Sequence, residues 1–387
     1  GASERNISVA IATNDATRAL RAAHASFWLS PQTVALAVIG PGKVGTTLLE
    51  QLQAAMPRLL GESGLDLRLR ALADSRRLWL GEQDACGDWR AALAGAPERS
   101  LDTLADHLLG AHFPHAVIVD CSASDAVANR YAAWLAAGIH VITPNKHAVA
   151  GDWPRRQAIE AARLGSGARL RYEATVGAGL PVIQTLRDLL DTGDELLAVE
   201  GILSGTLAWL FNRYDGSVPF SSLVREAHAL GYTEPDPRED LSGMDVARKL
   251  VILAREAGQP LSLADVRVEG LVPEALRTGD RDAFLAALEQ CDAPMQARLD
   301  AARERGAVLR YVARLGADGQ ASVTLAELPA GHAFAHLRQT DNIVQFTTRR
   351  YHDNPLIVQG PGAGPEVTAA GVFSDLLRLA AALGARL

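Results

Sequence analysis

Cysteine is scarce in this chain: Cys86, Cys121 and Cys291 are the only three in 387 residues, and they never form a Cys-x-x-Cys pair. That spacing argues against a disulfide framework or a thiolate zinc site. It fits a reducing compartment, so a cytoplasmic location is expected. Basic surplus is missing as well. Lys plus Arg number 38 against 45 Asp plus Glu, and the formal net charge is −7. No cationic excess is left for a phosphate backbone or an anionic membrane surface, so neither nucleic acid nor membrane is an expected partner. No apolar run approaches the roughly 18 residues of a membrane span. The opening Gly1–Asn6 lacks the charged and apolar regions of a signal peptide. Internal repeats and low-complexity tracts are also absent. His107, His112 and His115 lie close together, but Gly110 and Pro114 make their segment loop-like, without the helical spacing of metal ligands.

What is present is an ordinary globular composition, 48% hydrophobic and 21% charged, on a chain too long for one comfortable domain. Residues Ile7–Thr13 read as a strand, and Asp15 as the cap of an amphipathic helix running to about Leu29. A lone strand and helix cannot bury their own apolar faces, so this segment is expected either to pack on the main body or to be the cut edge of a larger region that begins upstream. A second start comes at Thr33–Ile39, an apolar strand followed by Gly40-Pro41-Gly42-Lys43-Val44-Gly45 and the helical run Thr46–Met56. Further strands at Leu65–Ala73, His115–Asp120 and Ile139–Thr143, with a helix over Ala126–Ala137, predict an α/β domain with a Rossmann-type, doubly wound parallel sheet.

From Leu170 the texture changes to a mixed α+β pattern. Strands are expected at Leu170–Thr175, Leu196–Leu203 and Asn342–Arg349, and a hairpin at Leu309–Leu315 and Ala321–Leu328 around Asp318-Gly319. Helices are expected at Pro181–Leu190, Gly205–Asn212 and Asp245–Ala257. After the glycine run Gly360–Gly364 a terminal helix spans Val367–Ala382.

In the turn after Thr33–Ile39 the three glycines have separate jobs. Gly40 permits the tight turn, Gly42 lets a diphosphate approach the backbone, and Gly45 allows close helix packing, while the helix N-terminus favours anionic charge. Strand before and helix after are the context a dinucleotide site requires. Ala73-Asp74-Ser75-Arg76-Arg77 follows the second strand, where the adenosine ribose is read. Asp74 suits the ribose hydroxyls of NAD, and Arg76 or Arg77 suits the additional phosphate of NADP, so both coenzymes stay open.

The densest chemistry lies in Gly231–Lys249. Asp245 and Lys249 are spaced i, i+4 on one helical face, and Glu234 and Asp240 come from the loop that feeds it. Such a set could clasp an amino-acid zwitterion and deliver a proton; spacing alone equally describes a surface ion pair worth a few tenths of a kcal/mol. Lys146, in Thr143-Pro144-Asn145-Lys146, ends a nucleotide-domain strand at the edge where ligands bind such sheets. Tyr172–Pro181 reads as a strand entering a glycine loop, where a carboxylate beside exposed carbonyls suits a hard cation.

On these motifs the sequence resembles homoserine dehydrogenase from Gly40 to the terminal helix. The loop Tyr172–Pro181, the stretch Glu200–Leu207, the block Gly231–Lys249 and the return Gly360–Gly371 follow the family's signatures in order. The resemblance implies an NADP- or NAD-dependent enzyme that reversibly reduces L-aspartate 4-semialdehyde to L-homoserine for threonine and methionine synthesis. Lys249 would donate the proton, with Lys146 between cofactor and substrate. Glu234 and Asp245 would bind the substrate's amino group or position water, supported by Asp240, with Gly205 and Thr206 also on the substrate. Gly40, Pro41, Gly42, Lys43, Val44, Gly45, Thr46, Asp74, Arg76, Ser122, Lys146 and Gly364 would contact the cofactor. Glu173 with the carbonyls of Val176, Ala178 and Leu180 would form a site for a monovalent cation such as sodium.

The resemblance also implies three regions. Residues 1–33 would be a remnant of an ACT-type regulatory region that joins an N-terminal aspartate kinase. Residues 34–170, rejoined by 360–387, would bind the dinucleotide. Residues 171–359 would form the catalytic and dimerisation domain of a homodimer. Pro365-Glu366 depart from the small residues common in the family after Gly364. A dihydrodipicolinate-reductase-like enzyme is the rival catalytic reading, opposed by the Glu234–Lys249 block. A dinucleotide-sensing fragment is the non-catalytic one, opposed by the intact Lys146 and Lys249.

Overall fold

The computed structural model describes residues 8–16, 19–20, 23, 32–82, 84–110 and 113–387. Most of the helix expected up to Leu29 lies outside the described residues, as does His112. The strand expected over Ile7–Thr13 is not found in its described part: residues 8–12 have no regular structure and Thr13–Asp15 is a single 3-10 turn. The chain forms two compact units. One comprises Gly1–Thr143, Ala158–Arg171 and Phe373–Leu387, and the other Pro144–Gln157 and Tyr172–Val372.

The first unit is built on β1 (Thr33–Ile39), β2 (Asp66–Ala73), β3 (Leu78–Leu80), β4 (His115–Asp120), β5 (His140–Ile142) and β6 (Leu170–Arg171), in the order β3-β2-β1-β4-β5-β6. All neighbours are parallel except the β2–β3 pair. Every residue of β1 is buried, which is why its sequence is a continuous apolar run rather than an alternation. Strand order reverses at β1, with β2 on one side and β4 on the other, and ligands of such sheets bind at the carboxyl ends flanking that point. Those ends carry Gly40 and Ser122.

The helix after β1 starts at Lys43, not Thr46, and continues to Ser63 through an internal Pro57. The single helix expected over Ala126–Ala137 is two, Asp125–Ala128 and Tyr131–Ala136, because Ser124 caps the first by accepting the Val127 N–H at 3.3 Å and the turn closes at Asn129.

The second unit holds β7 (Leu196–Ile202), β8 (Arg267–Val268), β9 (Ala307–Gly316), β10 (Ala321–Pro329), β11 (Asp341–Thr348) and β12 (Leu356–Pro361), ordered β12-β11-β7-β9-β10-β8. The pairs are antiparallel except β8–β10. The β9–β10 hairpin turns at Asp318-Gly319, where Gly319 takes φ 79°. Ile202, Ala208, Val312, Leu328, Phe334, Leu337 and Ile343 form one buried cluster on this sheet. Helix Met244–Glu256 buries Val246, Ala247, Leu250, Val251, Ile252, Leu253, Ala254 and Arg255, and its i, i+4 spacing sets Asp245 and Lys249 on one stripe. Its start is fixed by Gly243 at φ 73°, where a Cβ would lie 2.0 Å from the Tyr311 hydroxyl oxygen. Only glycine fits there.

Candidate active site

The turn after β1 is shaped by backbone contact. Gly40 (φ 83°) donates its N–H to the Ala73 carbonyl at 2.8 Å, and a Cβ on it would sit 2.8 Å from the Ser122 nitrogen. At Gly45 a Cβ would come within 2.2 Å of the Gly40 carbonyl oxygen. At Gly42 nothing lies within 4 Å, so that side of the turn is open. Gly42 is also the N-cap of helix Lys43–Ser63 and supplies no side-chain cap, which leaves the first-turn amides of Lys43 and Val44 for an anion. Thr46 closes the turn through its hydroxyl, which donates to the Pro41 carbonyl at 3.1 Å.

Ser122 is held by a residue that sequence reasoning did not single out. Asp120, fully buried at the end of β4, accepts the Ser122 N–H at 2.8 Å and the Tyr131 hydroxyl at 2.6 Å, while Thr143 donates to its carbonyl at 2.7 Å. An acid closing an otherwise apolar strand was the available signal.

Asp74 spends its Oδ1 on the backbone N–H groups of Arg76 and Arg77, at 2.6 and 2.7 Å. Desolvation pushes this carboxyl up, but those two donors and the arginine charges hold it below its ordinary value. Arg77 is committed elsewhere, donating to the Ala94 carbonyl at 2.7 Å. The exposed Arg76 side chain has no hydrogen bond or ion pair among the described residues.

In the second unit, Asp245 bridges two lysines. Its Oδ2 lies 2.9 Å from Lys249 Nζ and its Oδ1 3.1 Å from Lys146 Nζ. Lys249 also donates to the Leu203 carbonyl at 2.6 Å. With its side chain only 12% exposed, Lys249 is no surface partner of the kind the i, i+4 spacing also allowed. Desolvation raises the Asp245 carboxyl, and the Lys249 and Lys146 charges more than reverse it, holding Asp245 well below the usual carboxylate range. Lys146 does not end a strand. It opens the helix Lys146–Ala150, capped by Asn145, beyond the end of β5, and groups with the second unit.

A second cluster gathers Thr206, Tyr232, Glu234 and Asp240. Asp240 Oδ2 accepts the Glu234 N–H at 2.8 Å, and its Oδ1 lies 2.8 Å from the Thr206 hydroxyl, which donates to the Tyr232 carbonyl at 2.5 Å. Thr206 sits in the first turn of helix Gly205–Arg213, capped by Ser204, directly after the Leu203 that anchors Lys249. The Glu200–Leu207 stretch therefore serves both clusters.

The strand expected over Leu170–Thr175 stops at Arg171, and Glu173–Thr175 is a 3-10 turn. Buried Glu173 faces the next helix instead, its two oxygens accepting the Ile183 and Gln184 N–H groups at 2.7 and 2.9 Å. The loop between takes two successive left-handed residues, Gly177 at 76° and Ala178 at 54°. It packs at backbone contact on the segment after Gly364: a Cβ at Gly179 would lie 2.7 Å from the Val367 carbonyl oxygen, and one at Gly371 would lie 2.6 Å from that of Ala178. Gly364 (φ 122°) opens the helix Pro365–Ala382 and accepts from Thr368. The carboxylate and turned carbonyls have the donor chemistry of a hard-cation site, with the carboxylate already holding two amides.

Two family models match the chain: homoserine dehydrogenase over residues 181–377, and the homoserine dehydrogenase NAD-binding domain over residues 40–173. A chloroplastic bifunctional aspartokinase/homoserine dehydrogenase 2 of Arabidopsis thaliana is 48% identical over 391 residues, covering 100% of this chain and 43% of that protein. The chain thus spans less than half the length of such curated relatives. Among solved structures, a Candida auris protein of unknown function superposes with TM-score 0.84 at 36% identity, covering 92% of this chain and 99% of that one. A hyperthermophilic archaeal homoserine dehydrogenase mutant in complex with NADPH gives TM-score 0.68 at 23% identity over 89% of this chain and 97% of its own, a likeness of fold.

Proposed function

The chain belongs to the homoserine dehydrogenase family, and we propose that it catalyses the NAD(P)H-dependent, reversible reduction of L-aspartate 4-semialdehyde to L-homoserine, with Lys249 as proton donor. The observation that carries this is the state of Lys249. An ammonium has three N–H donors, and two are spent on Leu203 and Asp245, so the third is aimed by the other two. A bound nicotinamide supplies the hydride. As charge develops on the substrate's carbonyl oxygen, Lys249 stabilises it and passes a proton to it. Asp245 holds Lys249 and Lys146 in place, and Glu234 binds the substrate ammonium, with Asp240 and the Gly205–Thr206 turn as its support.

In the first unit the turn Gly40–Thr46, with Asp74 and Ser122 as further contacts, would hold the coenzyme. NADP is the preferred form because Arg76 is the uncommitted cation beside Asp74. Glu173 with the Val176, Ala178 and Leu180 carbonyls holds a monovalent cation, a reading supported by the left-handed pair Gly177–Ala178. The protein assembles as a homodimer through its second unit and works in the cytoplasm. It carries an aspartokinase portion in the same natural chain, a reading supported by the names of its bifunctional aspartokinase/homoserine dehydrogenase relatives. Among the described residues no helix is long and apolar enough to cross a membrane.

Chromatography of the product tests the reaction directly. NADPH consumption with aspartate semialdehyde should yield homoserine. Turnover only on a cyclic imine would favour the dihydrodipicolinate-reductase-like reading. A monomer mass in light scattering would remove the dimer.

A further inference from the structure

The geometry points to Asp240 being carried as the neutral carboxylic acid, its proton tying the Tyr232–Glu234 turn to the first turn of helix Gly205–Arg213. A threonine hydroxyl has one proton. Thr206 Oγ1 lies 2.5 Å from the Tyr232 carbonyl oxygen, which has no proton to give, so the Thr206 proton belongs in that contact. The 2.8 Å contact between Thr206 Oγ1 and Asp240 Oδ1 then needs a proton from the other side, and Asp240 is its source. The remaining oxygen, Oδ2, accepts the Glu234 N–H at 2.8 Å. One hydroxyl and one carbonyl oxygen are what a neutral acid offers, each facing its matching partner.

The surroundings agree. Burial raises this carboxyl, and the charges of Glu234 on its own loop and Asp245 on helix Met244–Glu256 add to the rise, outweighing the Glu234 amide that lowers it. Lys249 on that helix and Lys146 on helix Lys146–Ala150 are engaged by Asp245. On helix Gly205–Arg213 the charged residue is Arg213, at the far end and paired with Glu226. Two neighbouring aspartates therefore hold opposite states: Asp245 ionised between two ammonium groups, Asp240 neutral between a hydroxyl and an amide.

Resting on the reading of Glu234 as the substrate's ammonium partner, this makes Asp240 a positioning residue. Neutral, it adds no second anion beside Glu234 and fixes the Glu234 backbone. Ionised, it competes with Tyr232 for one proton and releases the turn.

Infrared spectroscopy of the chain labelled with 13C-carboxyl aspartate reads the state of Asp240 without any turnover. At neutral pH a protonated-acid band should be present and should vanish in Asp240→Asn. Thr206→Val, which removes the acceptor, should shift the same band, and it keeps the test open if Asp240→Asn does not fold. Carboxylate bands alone in the folded wild type overturn the proposal. Steady-state rates supply the second arm. The wild-type KM for homoserine should rise on the alkaline side by about tenfold per pH unit past the transition, with kcat following its own profile. Asp240→Asn should lose that rise in KM. An acid band without any dependence of KM on this ionisation would keep the neutral Asp240 and remove Glu234 from substrate binding.

Discussion

The glycine turn of the first unit and the lysine–aspartate cluster of the second are made from different parts of the polypeptide. The turn is backbone chemistry: three glycines within six residues, two of them leaving no room for a Cβ. The cluster is side-chain chemistry, joining Lys146 to Asp245 across 99 positions of sequence. A local backbone device can be read from a short motif. A charge constellation exists only after folding.

The comparison makes opposite predictions for substitutions in the two regions. The largest effect belongs to the cluster. Lys249→Ala should lower kcat by about a hundredfold to ten-thousandfold, the usual worth of a positioned proton donor, while NADPH binding measured by fluorescence stays close to wild type. A near-normal kcat would take Lys249 out of the mechanism.

On the turn side, Arg76→Ala should weaken NADPH by about tenfold to a hundredfold, matching roughly 1.5–3 kcal/mol for a hydrogen bond to a charged group, and leave NADH unaffected. Equal losses for both coenzymes would separate Arg76 from the 2′-phosphate.

Two glycines sharpen the backbone half. Gly45→Ala forces its Cβ against the Gly40 carbonyl and should cost about 1–3 kcal/mol of stability, as overpacking does. Gly42→Ala, in open space, should keep the melting temperature and lose coenzyme affinity alone. If both variants melt alike, the distinction between packing and ligand glycines fails.

The smallest effect concerns acid stability. Asp245 has its folded pKa depressed, so its stabilising contribution is present above the unfolded value of about 3.9 and is lost as pH falls through the folded one. Asp245→Asn should therefore melt below wild type at neutral pH, with the gap closing under acid. A gap that widens on acidification would contradict the two-lysine bridge.

The first sheet was legible because β1 and β4 carry the apolar runs Val34–Ile39 and Ala116–Val119, and the glycine turn because its context is local. The Asp245–Lys249 spacing was visible too, but its meaning was not: burial of Lys249 depends on the Leu203 carbonyl, 46 residues away. The strand expected to continue through Thr175 ended early because the Glu173 carboxylate is drawn to the amides of the following helix. The β12 strand was missed because Leu356–Pro361 is short, ends in Gly360-Pro361 and pairs only with β11. Asp120 escaped notice since its partners, Tyr131 and Thr143, converge on it only in three dimensions.

The most direct test of the central claim is oxidation of L-homoserine by the chain itself, followed by NADPH absorbance as NADP is reduced. Homoserine-dependent NADPH formation that Lys249→Ala abolishes is the expected result. A folded chain that binds NADPH but never oxidises homoserine would contradict the account and leave a nucleotide-binding protein without the dehydrogenase reaction.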